Sequence, residues 1–255
     1  MAEREMEILE EGDIFFLYRP DVNEHDPEGM GDVQRFFMAL RPRGGRKTRL
    51  MIVGRKRLPD VDSHERNWGF VTLVSDDAAA IEKELREEHY DTKTRGEQDQ
   101  PAVRPAGEGV YLITREGSPE TGQMHLAYEL ELPEKPGAVQ KAFAIAPKAA
   151  YALSVKNPEK GSPANAGLSK AQQVDFPKSL QDAFRDRRFE SESPEHLNYE
   201  GAEIMLVGAR ANPETAYGVD LPAESEDAEH ADVFSKLRMA KSRHPIAPLI
   251  EGAWD

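Results

Sequence analysis

The stretch from Val33 to Pro59 reads VQRFFMALRPRGGRKTRLMIVGRKRLP. Two apolar segments, 33–40 and 49–54, flank the polar connection RPRGGRK (41–47). Apolar runs of this length, bounded by Gly and Pro, predict strands, and Gly44-Gly45 supplies the positive φ that a tight hairpin needs. The same stretch holds nine basic residues and no acid, whereas the whole chain carries −14, so the rest of the chain carries −23. A basic β-hairpin on an acidic protein is therefore the sharpest electrostatic feature of the sequence.

Working outward, IFFLY (14–18) follows Gly12-Asp13 and predicts a buried strand, and WGFVTLV (68–74) predicts a fourth. Ser75-Asp76-Asp77 reads as a helix N-cap. The helix AAAIEKELREEHY (78–90) follows, with Ile81 and Leu85 inward and Glu82, Glu84, Glu87 and Glu88 outward. DTKTRGEQDQPAVRPAGEG (91–109) is polar and without period, which predicts a long connecting loop, with 91–106 joining two halves. GEGVYLITR (107–115), MHLAYELELP (124–133) and AYALSVKNPE (150–159) can be laid on the first three strands, which predicts an internal duplication. Short helices are expected at 137–145, from Pro177 and over 233–241, with a further strand at 202–210. VDLPAESEDAEHAD (219–232) is acidic and reads as a mobile linker before an irregular tail.

The 255 residues allow one large domain or two small ones. The chain has no cysteine, so it has no disulfide, thiolate metal site or cysteine nucleophile, which suits a reducing cytosol. No apolar run approaches the roughly 20 residues of a membrane span, and MAEREMEILEEGD lacks the order of a signal peptide. A cytoplasmic location is expected. The acidic excess favours solubility and disfavours loose binding to nucleic acid.

The succession GDIFFLYRP, DVQRFFMAL, GRKRLP, RNWGFV, TKTRG, RPAGEGVY, HLAYELELP, SVKNPE and YEGAEIMLVGA resembles a family of uncharacterised bacterial cytosolic proteins, over most of the chain to about residue 210. That family has no assigned activity, so the resemblance implies no catalytic residues. Gly12-Asp13 before an aromatic strand is also similar to the small β-barrels of the PUA type, which bind RNA or modified bases. Only the first strand carries that likeness.

The chemistry on offer is anion binding. Arg41, Arg43, Arg46, Lys47, Arg49, Arg55 and Arg57 supply charge, and arginine suits bidentate contacts to phosphate or carboxylate. Thr94 and Arg95 in TKTRG, with Trp68, are expected at the edge of a pocket. The competing account is internal: 47 acids are available to neutralise these arginines. A second candidate set, Lys93, Arg95, Arg104, His125 and Lys156, would line a site between two halves. The seven histidines are scattered, and there is no HExxH, GxSxG, P-loop or GxGxxG in the needed context. No metal site, cofactor or catalytic residue is assigned.

The sequence thus predicts an α+β protein, mainly antiparallel β, with two similar β-rich halves and a few short helices. The expected divisions are 1–106, 107–218 and an acidic linker and tail, 219–255. The leading functional expectation is a non-catalytic binding protein that takes RNA or a nucleotide through the basic hairpin. The alternatives are an enzyme or metabolite sensor with a site between the halves, and an assembly protein whose hairpin meets an acidic protein. No membrane partner is expected.

Overall fold

The structure is a computed structural model and describes residues 6–45, 47–94, 96–118, 121–161, 168, 169, 172–210, 221 and 231–254. Alternation along β1 (Met6–Pro20) decides the architecture. Ile14, Phe16 and Tyr18 enter one apolar cluster, while Phe15 and Leu17 enter another. Both faces of this strand are covered, which is why IFFLY shows no polar alternation.

β1 pairs antiparallel with β2 (Val33–Pro42), which pairs with β3 (Thr48–Val53) and on to β4 (Arg66–Ser75). On its other edge β1 pairs with β7 (Arg104–Glu116), which leads to β8 (Gln123–Leu132) and β9 (Lys148–Lys156). β11 (Glu203–Arg210) lies between β9 and β4 and closes an eight-stranded antiparallel barrel. The short β10 (Phe189–Glu190) pairs with β9 beyond the end of β8. A separate two-stranded hairpin joins β5 (Glu88–Thr92) to β6 (Gly96–Gln100). The fold is thus the mainly antiparallel α+β class expected from the sequence.

Residues 6–75 supply one four-stranded meander and residues 104–210 the other four barrel strands. The division placed at residue 106 falls inside β7, and both stretches line one lumen. Side chains fill that lumen, as expected of a barrel of eight strands. Phe16 meets Tyr128 edge-on at 4.9 Å, and Phe36 stacks on Phe143 at 4.8 Å. Trp254, 5.5 Å from Tyr18 and 5.6 Å from Phe143, packs at the rim where β1 ends. At the opposite rim Glu10, Arg49, Tyr111 and Asn198 form a polar cluster. Burial and the Glu10 carboxylate beside it push the Tyr111 hydroxyl far above its ordinary value.

The outer face of β1–β3 is the second core. The helix α1 (Ala78–Leu85) covers it with Ile81 and Leu85, and the C-terminal segment adds Val233, Leu237, Met239 and Leu249. Asp77 caps α1 as predicted, its Oδ1 accepting the Ala79 N–H at 2.9 Å.

The helix expected over 78–90 stops at Leu85. The next inward positions would be Glu88 and His89, which have nothing apolar to bury, and Arg19 takes the carbonyls of Glu84 and Arg86 at the helix end. The loop expected over 91–109 is instead most of the β5–β6 hairpin and the start of β7. The tail expected to be irregular forms the helix Ala247–Ile250, with Leu249 buried. The helix expected over 233–241 spans Asp232–Lys236. Most of the acidic linker lies outside the described residues, but Leu221 and Ala231 are buried. No helix among the described residues is long and apolar enough to cross a membrane.

Candidate ligand-binding cleft

The basic stretch is largely engaged by the protein itself. Arg49 is 3% exposed and makes a two-pronged contact with Glu10 at 2.6 and 2.8 Å, with Asn198 Oδ1 on its Nε at 2.9 Å. Arg55 and Arg57 share the Glu65 carboxylate at 2.7 and 2.8 Å. The Asp60 backbone N–H, and then these two guanidiniums, hold the Glu65 carboxyl below its ordinary value. Arg41 donates to the Lys236 carbonyl at 3.3 Å. Arg43 lies 3.7 Å from Glu11 and is half exposed, and Lys47 is exposed. Gly44 takes the expected positive φ, +77°, at the hairpin turn. Arg46 and Arg95 lie outside the described residues.

The other expected residues are dispersed. Trp68 faces outward on β4, its ring 5.8 Å from Phe189. Lys93 and Thr94 are exposed at the β5–β6 turn. Lys156 is buried against Glu203 at 2.8 Å, and His125 is buried 3.6 Å from Glu116. Arg104 is buried near the hairpin and donates to the His25 carbonyl. The set Lys93, Arg104, His125 and Lys156 does not converge on one site.

The structure draws together other residues, between the barrel rim and the β5–β6 hairpin. Arg19 on β1 stands directly opposite Arg35 on β2. Arg19 is 5% exposed and spends its donors on carbonyls: Arg86 at 3.2 Å, Pro101 at 3.0 Å, and Glu84. It therefore ties the end of α1 to the exit of β6. Burial holds its guanidinium below its ordinary value, the Glu84 carboxylate opposes this, and Arg35 adds to it. Gln100 Nε2 donates to the Pro20 carbonyl at 3.0 Å, and its Oε1 accepts from Gln34 at 2.8 Å.

A cleft of about 300 Å³ opens above this floor, lined by Arg19, Gln34, Arg35, Glu84, Glu88, Tyr90 and Gln100. Tyr90 also borders a second concavity of about 510 Å³, shared with Asn23, His89, Asp91 and Asp99. There Asn23 exchanges hydrogen bonds with the Asp99 backbone at 2.7 and 2.8 Å. The Asp99 carboxylate lies between His25 at 3.1 Å and His89 at 3.0 Å. These contacts fix the hairpin to the 21–32 loop. Among the described residues no group of three or more His, Asp or Glu side chains is placed to hold a metal ion.

Sequence reasoning missed this site because its members come from five separate segments. The one available signal was Arg19 and Arg35, charges placed at the ends of two apolar strands. Comparison of the chain with family models, curated proteins and solved structures finds no match.

Proposed function

We propose that the protein is a binding protein for a small polar ligand, held in the cleft between the barrel rim and the β5–β6 hairpin. One observation carries this. Tyr90 is a large side chain left 43% exposed, and it borders both concavities of the hairpin. Small-molecule sites place a few convergent polar groups beside aromatic surface, and here Tyr90 supplies the ring within a mostly polar lining suited to a polar ligand. The floor beneath is rigid, because Arg19 and Gln100 are fixed by backbone carbonyls. A preorganised floor lowers the ordering cost of binding. The absence of cysteine from the sequence suits a cytoplasmic setting for this role.

The test is a thermal-shift screen of polar metabolites, repeated on Tyr90→Ala. A ligand for the cleft raises the melting temperature of the wild type at saturation and not that of the variant. Hits that stabilise both proteins equally would sink the assignment.

The basic hairpin supports a second proposal, a contact with RNA or another polyanion. Arg43, half exposed with its acid 3.7 Å away, and the exposed Lys47 favour it. Anisotropy of labelled single-stranded RNA should then fall steeply with salt, and Arg43→Glu with Lys47→Glu should abolish it. No change on that double reversal counts against the hairpin.

A further inference from the structure

We infer that the hairpin cleft takes a zwitterion: a small molecule with one carboxylate and one ammonium group, of the α-amino-acid or betaine class. This rests on the cleft being the ligand site.

The lining of the cleft carries two charges of each sign. Arg19 and Arg35 come from the barrel, and Glu84 and Glu88 from the end of α1 and the start of β5. Glu84, Glu88 and Arg35 all act electrostatically on the Arg19 guanidinium, so the four charges share one neighbourhood. Among the described residues, no ion pair within 4.0 Å joins any of them to another. Arg19 is buried and already bonded to three carbonyls, which makes it part of the floor. Arg35 is exposed, and its fork of donors suits a ligand carboxylate.

Glu88 and Tyr90 are two apart on β5 and so lie on one face of the hairpin. A ligand ammonium between Glu84 and Glu88 would also meet the Tyr90 ring, which attracts cations through its π face. The four charges lining the cleft, floor and wall together, sum to zero. A nucleotide phosphate gains little from such a site and meets two carboxylates there. A zwitterion matches both signs at once.

The experiment is calorimetric titration of the full chain with free α-amino acids and glycine betaine. The controls are the amidated amino acids, which lack the carboxylate, the N-acetylated ones, which lack the ammonium, and adenosine monophosphate as an anionic probe. At least one zwitterion should bind, and both blocked forms should bind about tenfold more weakly or worse. Arg35→Ala should erase the difference between acid and amide. The pair Glu84→Gln with Glu88→Gln should erase the difference between amine and acetylated amine. Binding of the phosphate or of a neutral compound instead, lost in Tyr90→Ala, overturns the zwitterion assignment and keeps the cleft. No binding by any probe, or binding that Tyr90→Ala leaves intact, overturns both.

Discussion

Arg49 and Glu10 meet head-on at the barrel rim away from the cleft, two guanidinium nitrogens on two carboxylate oxygens at 2.6 and 2.8 Å. Both are shielded from water, and Tyr111 adds a hydrogen bond to Glu10 at 2.8 Å. Truncating one partner leaves the other charge buried and unpaired. Arg49→Ala should cost roughly 3–5 kcal/mol of unfolding free energy in urea titration. Arg49→Met with Glu10→Leu should recover much of that loss, because it removes both charges. It follows that Arg49 must be left out of any charge-reversal test of the hairpin, where a folding defect would mimic lost binding.

His244 is a buried ring whose Nδ1 lies 2.6 Å from the Val103 carbonyl. The carbonyl only accepts, so Nδ1 carries the proton, and Nε2 is buried without a hydrogen-bond partner. Protonating Nε2 would put a charge where nothing receives it. Burial pushes this imidazole below its ordinary value, and Arg243 and Arg19 push the same way. The unfolded chain therefore takes up the proton first. Stability should fall as pH drops below about 6.5, and level off once pH passes the depressed folded value. His244→Gln should flatten that part of the urea-midpoint profile between about pH 7 and 5.

Glu108 is fully buried on β7, and its two oxygens accept the N–H groups of Asp232 and Val233 at 2.9 Å each. It fastens the C-terminal segment to the barrel wall. Glu108→Ala should cost about 2–3 kcal/mol, the scale of hydrogen bonds to a charged acceptor. Limited proteolysis should then cut faster within residues 231–254, with the barrel strands still protected. Glu108→Gln, which keeps one acceptor oxygen, should fall between.

Gly12 and Gly44 separate two ways in which alanine can fail. A Cβ on Gly12 would sit 2.2 Å from the Arg41 carbonyl oxygen, so β1 and β2 would have to part. At Gly44 a Cβ meets nothing within 4 Å, but φ is +77°. Gly12→Ala should therefore lose about 3 kcal/mol or more, by overpacking against backbone. Gly44→Ala should lose only about 1 kcal/mol, the cost of left-handed backbone. Thermal melts of the two variants side by side check the order.

The barrel strands were legible because their apolar runs are short and bounded by Gly and Pro. The cap at Asp77 was legible because it is local chemistry. The β5–β6 hairpin was not, since EHYDT and GEQDQ hold no alternation of apolar and polar residues. Its strands are held by long-range polar contacts, such as those of Gln100 to Pro20 and Gln34, 80 and 66 residues away. The basic stretch stood out by composition, but the carboxylates that engage it, Glu10, Glu11 and Glu65, lie outside it in the chain. Charge can be counted along a sequence, whereas neutralisation depends on the register of β1 against β2 and β7.

The β4–β11 seam sets an order on synthesis. β4 ends at Ser75, and its partner begins at Glu203, so the first meander leaves the ribosome long before its closing strand exists. Until then β4 presents an unpaired edge, the kind of surface on which nascent chains stick to one another. Such distant pairing also slows closure once the chain is free. A chain that ends before residue 203 lacks the strand that covers β4, so the sheet stays open at that edge until β11 docks.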